Sequence, residues 1–323
     1  MRGSAPGPYA WHMTPEYTNR RLRRMASMTS LVVAFFLVGI KGWAWLETGS
    51  IAMLTSAADG LVDVVASLVT FIGVRYSERP ADPGHRFGHG KAEAVAAFIQ
   101  ALLLAGVALA LGVESVRHLI TPEPLLATGL GIGVIILSSI VAAGLVSMQT
   151  YVVKHTGSTA IAADRAHYVT DFAVNLAVLG ALVLERTLGW SWADATGALL
   201  IAAYMLWNAR GMAVQALDQL LDRELDAACR QRIKAAILAC DGALGVHDLR
   251  TRHGGDRMFV EFHVEVAGDI SVHDGHEIGD RAEASVRALF TAADVLAHIE
   301  PAGIDDKRLD HDLVAMNGPV GRK

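Results

Sequence analysis

Two four-residue spacings carry the chemistry. Asp59-Gly-Leu-Val-Asp63 and His167-Tyr-Val-Thr-Asp171 each set two metal-ligating side chains four positions apart. On an α-helix, four positions are about 400° of rotation and one turn of rise, so each pair shares a face. If the two faces meet, three carboxylates and one imidazole converge on a point. Such an oxygen and nitrogen shell suits tetrahedral Zn2+. Two carboxylates on one face otherwise repel each other, unless a cation or protons neutralise them. A packing contact, or an ion pair with Lys41 or Arg165, is the plainer role for a single Asp, and it leaves the pairing unexplained.

The elements that must position these pairs are apolar. Of 323 residues, 52% are hydrophobic and 19% charged, fewer charges than the roughly 25% of soluble domains, so the excess needs a home other than water. Runs 25–46, 51–74, 94–113, 125–146, 159–184 and 191–209 each approach the roughly 20 residues of a bilayer-crossing helix. The first of the two spacings falls in the second run and the other in the fifth. An acidic residue at mid-bilayer costs about 2.5–3.5 kcal/mol on insertion scales, which favours a functional reading of both pairs. Ser56, Ala57, Ala58 and Gly60 beside the first pair allow close helix approach.

Basic residues orient the six spans. Arg20, Arg21, Arg23 and Arg24 precede the first, Arg75, Arg79, Arg86 and Lys91 separate the second from the third, Lys154 lies between the fourth and fifth, and Arg210 follows the sixth. The opposite loops hold Arg117 and Arg186 as their basic residues. Both termini are therefore expected in the cytoplasm. The expected organisation is a cytoplasmic segment over 1–24, a six-helix membrane domain over 25–211, a soluble domain over 212–303 and a tail over 304–323 without fixed structure. Residues 1–14 lack the apolar core of a signal peptide.

Two further clusters lie outside the apolar runs. The loop Asp82-Pro-Gly-His85-Arg-Phe-Gly-His89 can bend one carboxylate and two imidazoles around an ion, though His89 could equally orient a glycine-rich turn. The polar half reads as helix, strand, strand, helix, strand. In 259–266, Val260, Phe262, Val264 and Val266 point one way, while Phe259, Glu261, His263 and Glu265 point the other. His298 and Glu300 share a face for the same reason, His247 falls in the preceding strand, and His276 on the helix over 273–289. These five residues are candidate ligands, weighed against the histidines that half-exposed surfaces ordinarily carry. His253 reads as a loop residue. Cys229 and Cys240, eleven positions apart, fit two separate thiols.

Taken together, these stretches resemble the cation diffusion facilitator family, in particular its bacterial zinc and iron exporters. The shared motifs are the DxxxD and HxxxD pairs, Phe87-Gly-His-Gly-Lys-Ala-Glu93, Leu220-Leu-Asp-Arg-Glu224 and His247-Asp-Leu-Arg-Thr-Arg252, and the likeness runs from about Asn19 to Glu300. The resemblance implies a membrane α-helical bundle with a C-terminal metallochaperone-like αββαβ domain, in a homodimer of the bacterial inner membrane. It implies that Asp59, Asp63, His167 and Asp171 form the transport site and that Asp82, His85 and His89 form a second, loop-borne site. It further implies a pair of zinc ions on His247, His263, His276, His298 and Glu300, and a Lys91–Asp222 charge pair linking the two domains. Ile299 departs from this pattern, standing where relatives often carry a side chain able to support the site, and Glu300 is longer than the usual acidic residue.

The implied activity is efflux of Zn2+, with Cd2+, Fe2+ or Co2+ as alternatives of similar ligand taste, by alternating access and in exchange for protons. A membrane metalloenzyme would need an open coordination position and a catalytic base, and four protein ligands leave no such position. A metal sensor is the other rival, separable by metal uptake into sealed vesicles. The net charge of −5 gives no argument for a nucleic-acid partner, and none is expected.

Overall fold

The computed structural model describes residues 16–49, 51–121, 129–188, 192–255, 257–290 and 292–304. The expected tail beyond 304, the lead-in over 1–14 and the first residues of the run at 125–146 lie outside these. Two compact units result, Met1–Leu217 and Asp218–Lys323.

The first unit is helical: α1 (Glu16–Thr48), α2 (Ile51–Ser77), α3 (Ala92–Ile120), α4 (Gly129–Thr156), α5 (Thr159–Leu188) and α6 (Ala193–Leu220). Among the described residues, α1, α2, α3, α4 and α6 each contain a stretch long and apolar enough to cross a membrane. Helix α5, which carries Asp164, Arg165, His167 and Asp171 in its first half, packs along α4, α3 and α2. The burial pattern inverts that of a water-soluble bundle. Val32, Phe35, Trp43, Leu102, Ile140 and Trp207 are exposed, whereas Ala34, Ala96, Ala108, Ser67, Gln100 and Gln149 are buried. Large apolar side chains outward and small or polar ones inward suit a solvent of lipid tails, where close backbone approach and interhelical hydrogen bonds hold helices together. Alanines mix with larger apolar residues at the helix junctions, as Ala26, Ala96 and Ala160 do with Val74, Val152 and Ile161, and Ala108 and Ala209 with Leu104 and Met205. Helix α6 continues past 211 because Ala216 still packs on Ala97 and Ala163, and the units divide between Leu217 and Asp218.

The second unit runs α7 (Ala227–Leu238), β1 (Gly245–His253), β2 (Met258–Val266), α8 (Val272–Leu289) and β3 (Ala293–Pro301), in αββαβ order. Asp226 caps α7 by accepting from the Cys229 N–H at 2.7 Å, and Ser271 caps α8 through the Asp274 N–H at 3.1 Å. The sheet order is β1-β2-β3, with β1 antiparallel and β3 parallel to β2. The helices cover one face, burying Val260, Phe262, Val264, Ile233, Ile237, Ala282 and Val286. The opposite face carries the polar alternation. Between His247 and Arg250 the β1 register slips by one residue, with Asp248 at φ +47°, so three steps on β1 oppose two on β2. This bulge puts His247 and Arg250 on the same face as their partners His263 and Glu261. His253 ends β1, paired with Met258, and is not a loop residue.

Candidate metal centres

In the helical unit, Asp63 of α2 meets His167 and Asp171 of α5. His167 Nε2 lies 2.9 Å from Asp63 Oδ1 and 3.7 Å from Asp171 Oδ2. One ligand atom from each of the three falls within 4.8 Å of the others. His167 is buried, and Asp171 Oδ2 is a buried acceptor with no hydrogen-bond partner among the described residues. An orphaned carboxylate oxygen facing an imidazole and a second carboxylate is a donor set suited to a divalent cation. Asp59 does not join this set. It sits one turn nearer the start of α2, where its side chain is exposed, because α2 and α5 approach each other at Asp63. The expected four-ligand shell is thus three converging residues and one a turn away.

The loop after α2 gathers all three of its expected residues. His85 Nδ1 is 3.3 Å and His89 Nε2 3.4 Å from the two oxygens of Asp82, and the imidazole centroids are 4.5 Å apart. Asp82 Oδ1 also accepts the Gly84 and His85 backbone N–H groups at 2.8 and 2.7 Å. Those bonds, the one from His85 foremost, hold its carboxyl below the usual carboxylate range. His89 is buried edge-on to Tyr76, with Nδ1 lacking a partner among the described residues.

On the open face of the sheet, Glu300 is the hub. Its Oε1 lies 2.6 Å from His263 Nδ1 and 3.3 Å from His298 Nε2, and its Oε2 3.2 Å from His247 Nε2. Strand pairing sets this directly, since His263 is opposite both His247 and His298. His247 is buried, and although both of its ring nitrogens lie near carboxylates, neither makes an aligned hydrogen bond among the described residues. At His247, imidazole nitrogens beside carboxylates without an aligned hydrogen bond form a donor set that a divalent metal ion could use. His276 does not join. It is exposed on α8, which covers the other face, and lies 3.6 Å from Asp280. Ile299 also points to the α8 side, against Gly275 and Gly279, so its identity has no bearing on the ligand face.

Glu265 is the residue sequence reasoning passed over as a ligand candidate. Its Oε1 is 3.1 Å from His247 Nδ1, and it fits because its strand partner is Gly245, where a Cβ would fall 2.7 Å from Glu265 Oε2. Alternation with His263 was the available signal. Lys91 precedes α3 in the first unit, and Asp222, at φ +59°, lies 3.4 Å from Arg252 in the second.

The family description "Cation efflux transmembrane domain" matches residues 27–221, and "Cation efflux protein, cytoplasmic domain" matches residues 225–302. The chain is 40% identical over 282 residues to the cation-efflux pump FieF of Shewanella oneidensis, covering 87% of this chain and 95% of that one. It is 41% identical over 295 residues to the cation-efflux pump FieF of Yersinia enterocolitica, covering 91% and 97%. Among solved structures, the cadmium form of a MamM C-terminal-domain variant aligns with 23% of this chain and 95% of its own, at 28% identity and a TM-score of 0.22. The matched descriptions span both units, and on that ground the chain belongs to the cation efflux, or cation diffusion facilitator, family of integral-membrane transporters of divalent metal ions.

Proposed function

We propose that this protein exports Zn2+ from the bacterial cytoplasm in exchange for protons, by alternating access around Asp63, His167 and Asp171, with Asp59 as the fourth ligand. The observation that carries this reading is the convergence of one imidazole and two carboxylates, partly orphaned, inside a bundle whose outer surface is apolar. Asp59 reaches the ion by a side-chain rotation from one turn away. The mixed nitrogen and oxygen donors favour Zn2+, and Cd2+ or Fe2+ can use the same set. His167 must be neutral to ligate, and an imidazole changes charge near ambient pH, so metal and proton compete for one nitrogen. The arginines in the first turns of α1 and the basic loop between α2 and α3 support a cytoplasmic side for both termini.

The soluble unit, over 212–303 with the end of α6, pairs with that of a second copy. His247, His263, His298 and Glu300 hold zinc there, which lessens the repulsion among Glu261, Glu265 and Glu300 of the two copies, with His276 brought in from the partner copy. Lys91 and Asp222 link the two domains, and Asp82, His85 and His89 bind a further ion in the loop.

The test is metal flux into proteoliposomes with an imposed pH gradient. Asp63→Ala and Asp171→Ala should each abolish zinc flux in a protein that still purifies as a folded dimer, and His167→Ala should flatten the pH dependence. Normal flux through either aspartate variant sinks the assignment.

A further inference from the structure

Asp164 is the most buried carboxylate among the described residues, at 1% exposure, and the ligand assignment leaves it idle. It stands one turn before His167 on α5. Its Oδ2 accepts from the Ser30 hydroxyl of α1 at 2.5 Å and from the Gln149 amide of α4 at 2.6 Å, and its Oδ1 from the Gln100 amide of α3 at 3.4 Å. Gln100 Nε2 also donates to the Ala66 carbonyl of α2 at 3.0 Å and to Thr70. Ser30 Oγ is 3.0 Å from Ser67 Oγ, which is 3.0 Å from the Tyr168 hydroxyl. One carboxylate thus gathers α1, α3 and α4 directly and α2 through its partners. No lysine or arginine pairs with it among the described residues, and the hydrogen bonds it accepts come from neutral donors.

The place of this network matters more than its existence. Ser67 lies one turn after Asp63 on α2, Asp164 one turn before His167 on α5, and Tyr168 is the residue after His167. Both ligand-bearing helices are therefore tied within a turn of their ligands, and tied to each other through Ser30, Ser67 and Tyr168. Helix glue could sit anywhere along the bundle. A tie at this height fixes the rotation of α5 against α2, and with it the 2.9 Å approach of His167 to Asp63. Ligand placement to within about 0.5 Å is what separates a working site from a loose one.

We propose that Asp164 is a positioning residue for the transport site, holding His167 opposite Asp63 through its bonds from Ser30, Gln100 and Gln149 and through the Ser30–Ser67–Tyr168 contacts, and so setting metal affinity and the preference for small over large divalent ions. The inference rests on Asp63, His167 and Asp171 being that site. It is tested in the full-length protein in proteoliposomes, with Zn2+ and Cd2+ as the probes, on Asp164→Asn, Tyr168→Phe and Ser67→Ala beside Asp63→Ala. Asp164→Asn should raise the zinc KM about tenfold, the lower end of the range for groups that support ligands, and shift the Zn2+ to Cd2+ rate ratio toward Cd2+. Tyr168→Phe and Ser67→Ala should shift both the same way, by less. A purely structural network would lower the thermal midpoint and leave KM and the ratio alone, and that result overturns the proposal. If Asp164→Asn does not fold, Tyr168→Phe and Ser67→Ala decide, and wild-type KM and ratio in both overturn it. Normal flux through Asp63→Ala would instead remove the site itself, whereas a dead Asp63→Ala with wild-type network variants removes only the positioning role.

Discussion

The helical unit and the sheet unit each assemble histidine and carboxylates, and they do so by different means. In the sheet, backbone pairing places the ligands: His247, His263 and His298 are opposite one another because their strands are in register, and Glu300 reaches all three. In the bundle, among the described residues, no backbone hydrogen bond joins α2 to α5, so the meeting of Asp63 with His167 depends on side-chain packing and on buried polar ties. Register is rigid, whereas helix packing can slide or rotate at modest cost. On the proposed function, a site that opens alternately to two sides is better carried by the second kind of scaffold, and a site that reports on metal by the first.

The sharpest way to break this contrast is Glu300→Ala. Because Glu300 touches each of His247, His263 and His298, zinc affinity of the soluble unit should fall by at least the roughly 10–100-fold typical of lost supporting groups, while zinc flux persists. Isothermal titration and vesicle flux on the same protein check both halves. Abolished flux, as expected of Asp63→Ala, would show that the two regions do not divide the work. Gly73→Ala probes the other scaffold. A Cβ there would stand 2.5 Å from Ala96 Cβ and 3.3 Å from the Ala92 carbonyl, neither of which can swing aside, so α2 and α3 must part. Overpacking of this kind costs about 1–3 kcal/mol, readable as a lowered thermal midpoint. An unchanged midpoint would mean the junction is looser than its geometry.

How much of this was legible in the sequence follows from the same contrast. The apolar runs, the αββαβ order and the face shared by His263 and Glu265 are local periodicities, and local periodicity is written in the chain. That Asp63 rather than Asp59 meets α5 is not, because it depends on where two helices cross. The bulge at Asp248, which returns His247 to the ligand face, leaves no mark in the alternation. His276 looked like a ligand by type, but whether α8 shows it to the ligand face is settled by which face of the sheet the helix covers. Asp164 was visible as a charge in the fifth run, and its role as a hub needed the three other helices whose donors it gathers.

Gly245→Ala separates the scaffold from the ligands within the sheet. The atom a Cβ would meet is the free end of the Glu265 side chain, 2.7 Å away, and that end can move. The fold should hold within about 0.5 kcal/mol, as for most substitutions away from a core. Glu265 should leave His247, and zinc affinity should fall by up to about tenfold. Titration of the folded variant checks this, and wild-type affinity would remove Glu265 from the set.

The smallest effect tests whether pH acts on the sheet scaffold apart from its metal. His253 closes β1 opposite Met258, and burial pushes its imidazole below the ordinary value, against a weaker upward pull from Asp226. The unfolded chain then takes up a proton at higher pH than the folded one. Stability contributed by neutral His253 is complete above the unfolded value of about 6.5 and is lost as pH falls from there toward the lowered folded value. Below the folded value the loss stops growing. Wild type and His253→Gln, both chelator-treated, should therefore diverge in denaturant midpoint only on the acid side of neutrality, with the variant less sensitive to acid. The ligand histidines titrate in both proteins, so the difference between the two curves isolates His253. Parallel curves from about pH 7.5 to pH 5 would place the acid sensitivity of the sheet in the ligand cluster and not in its frame.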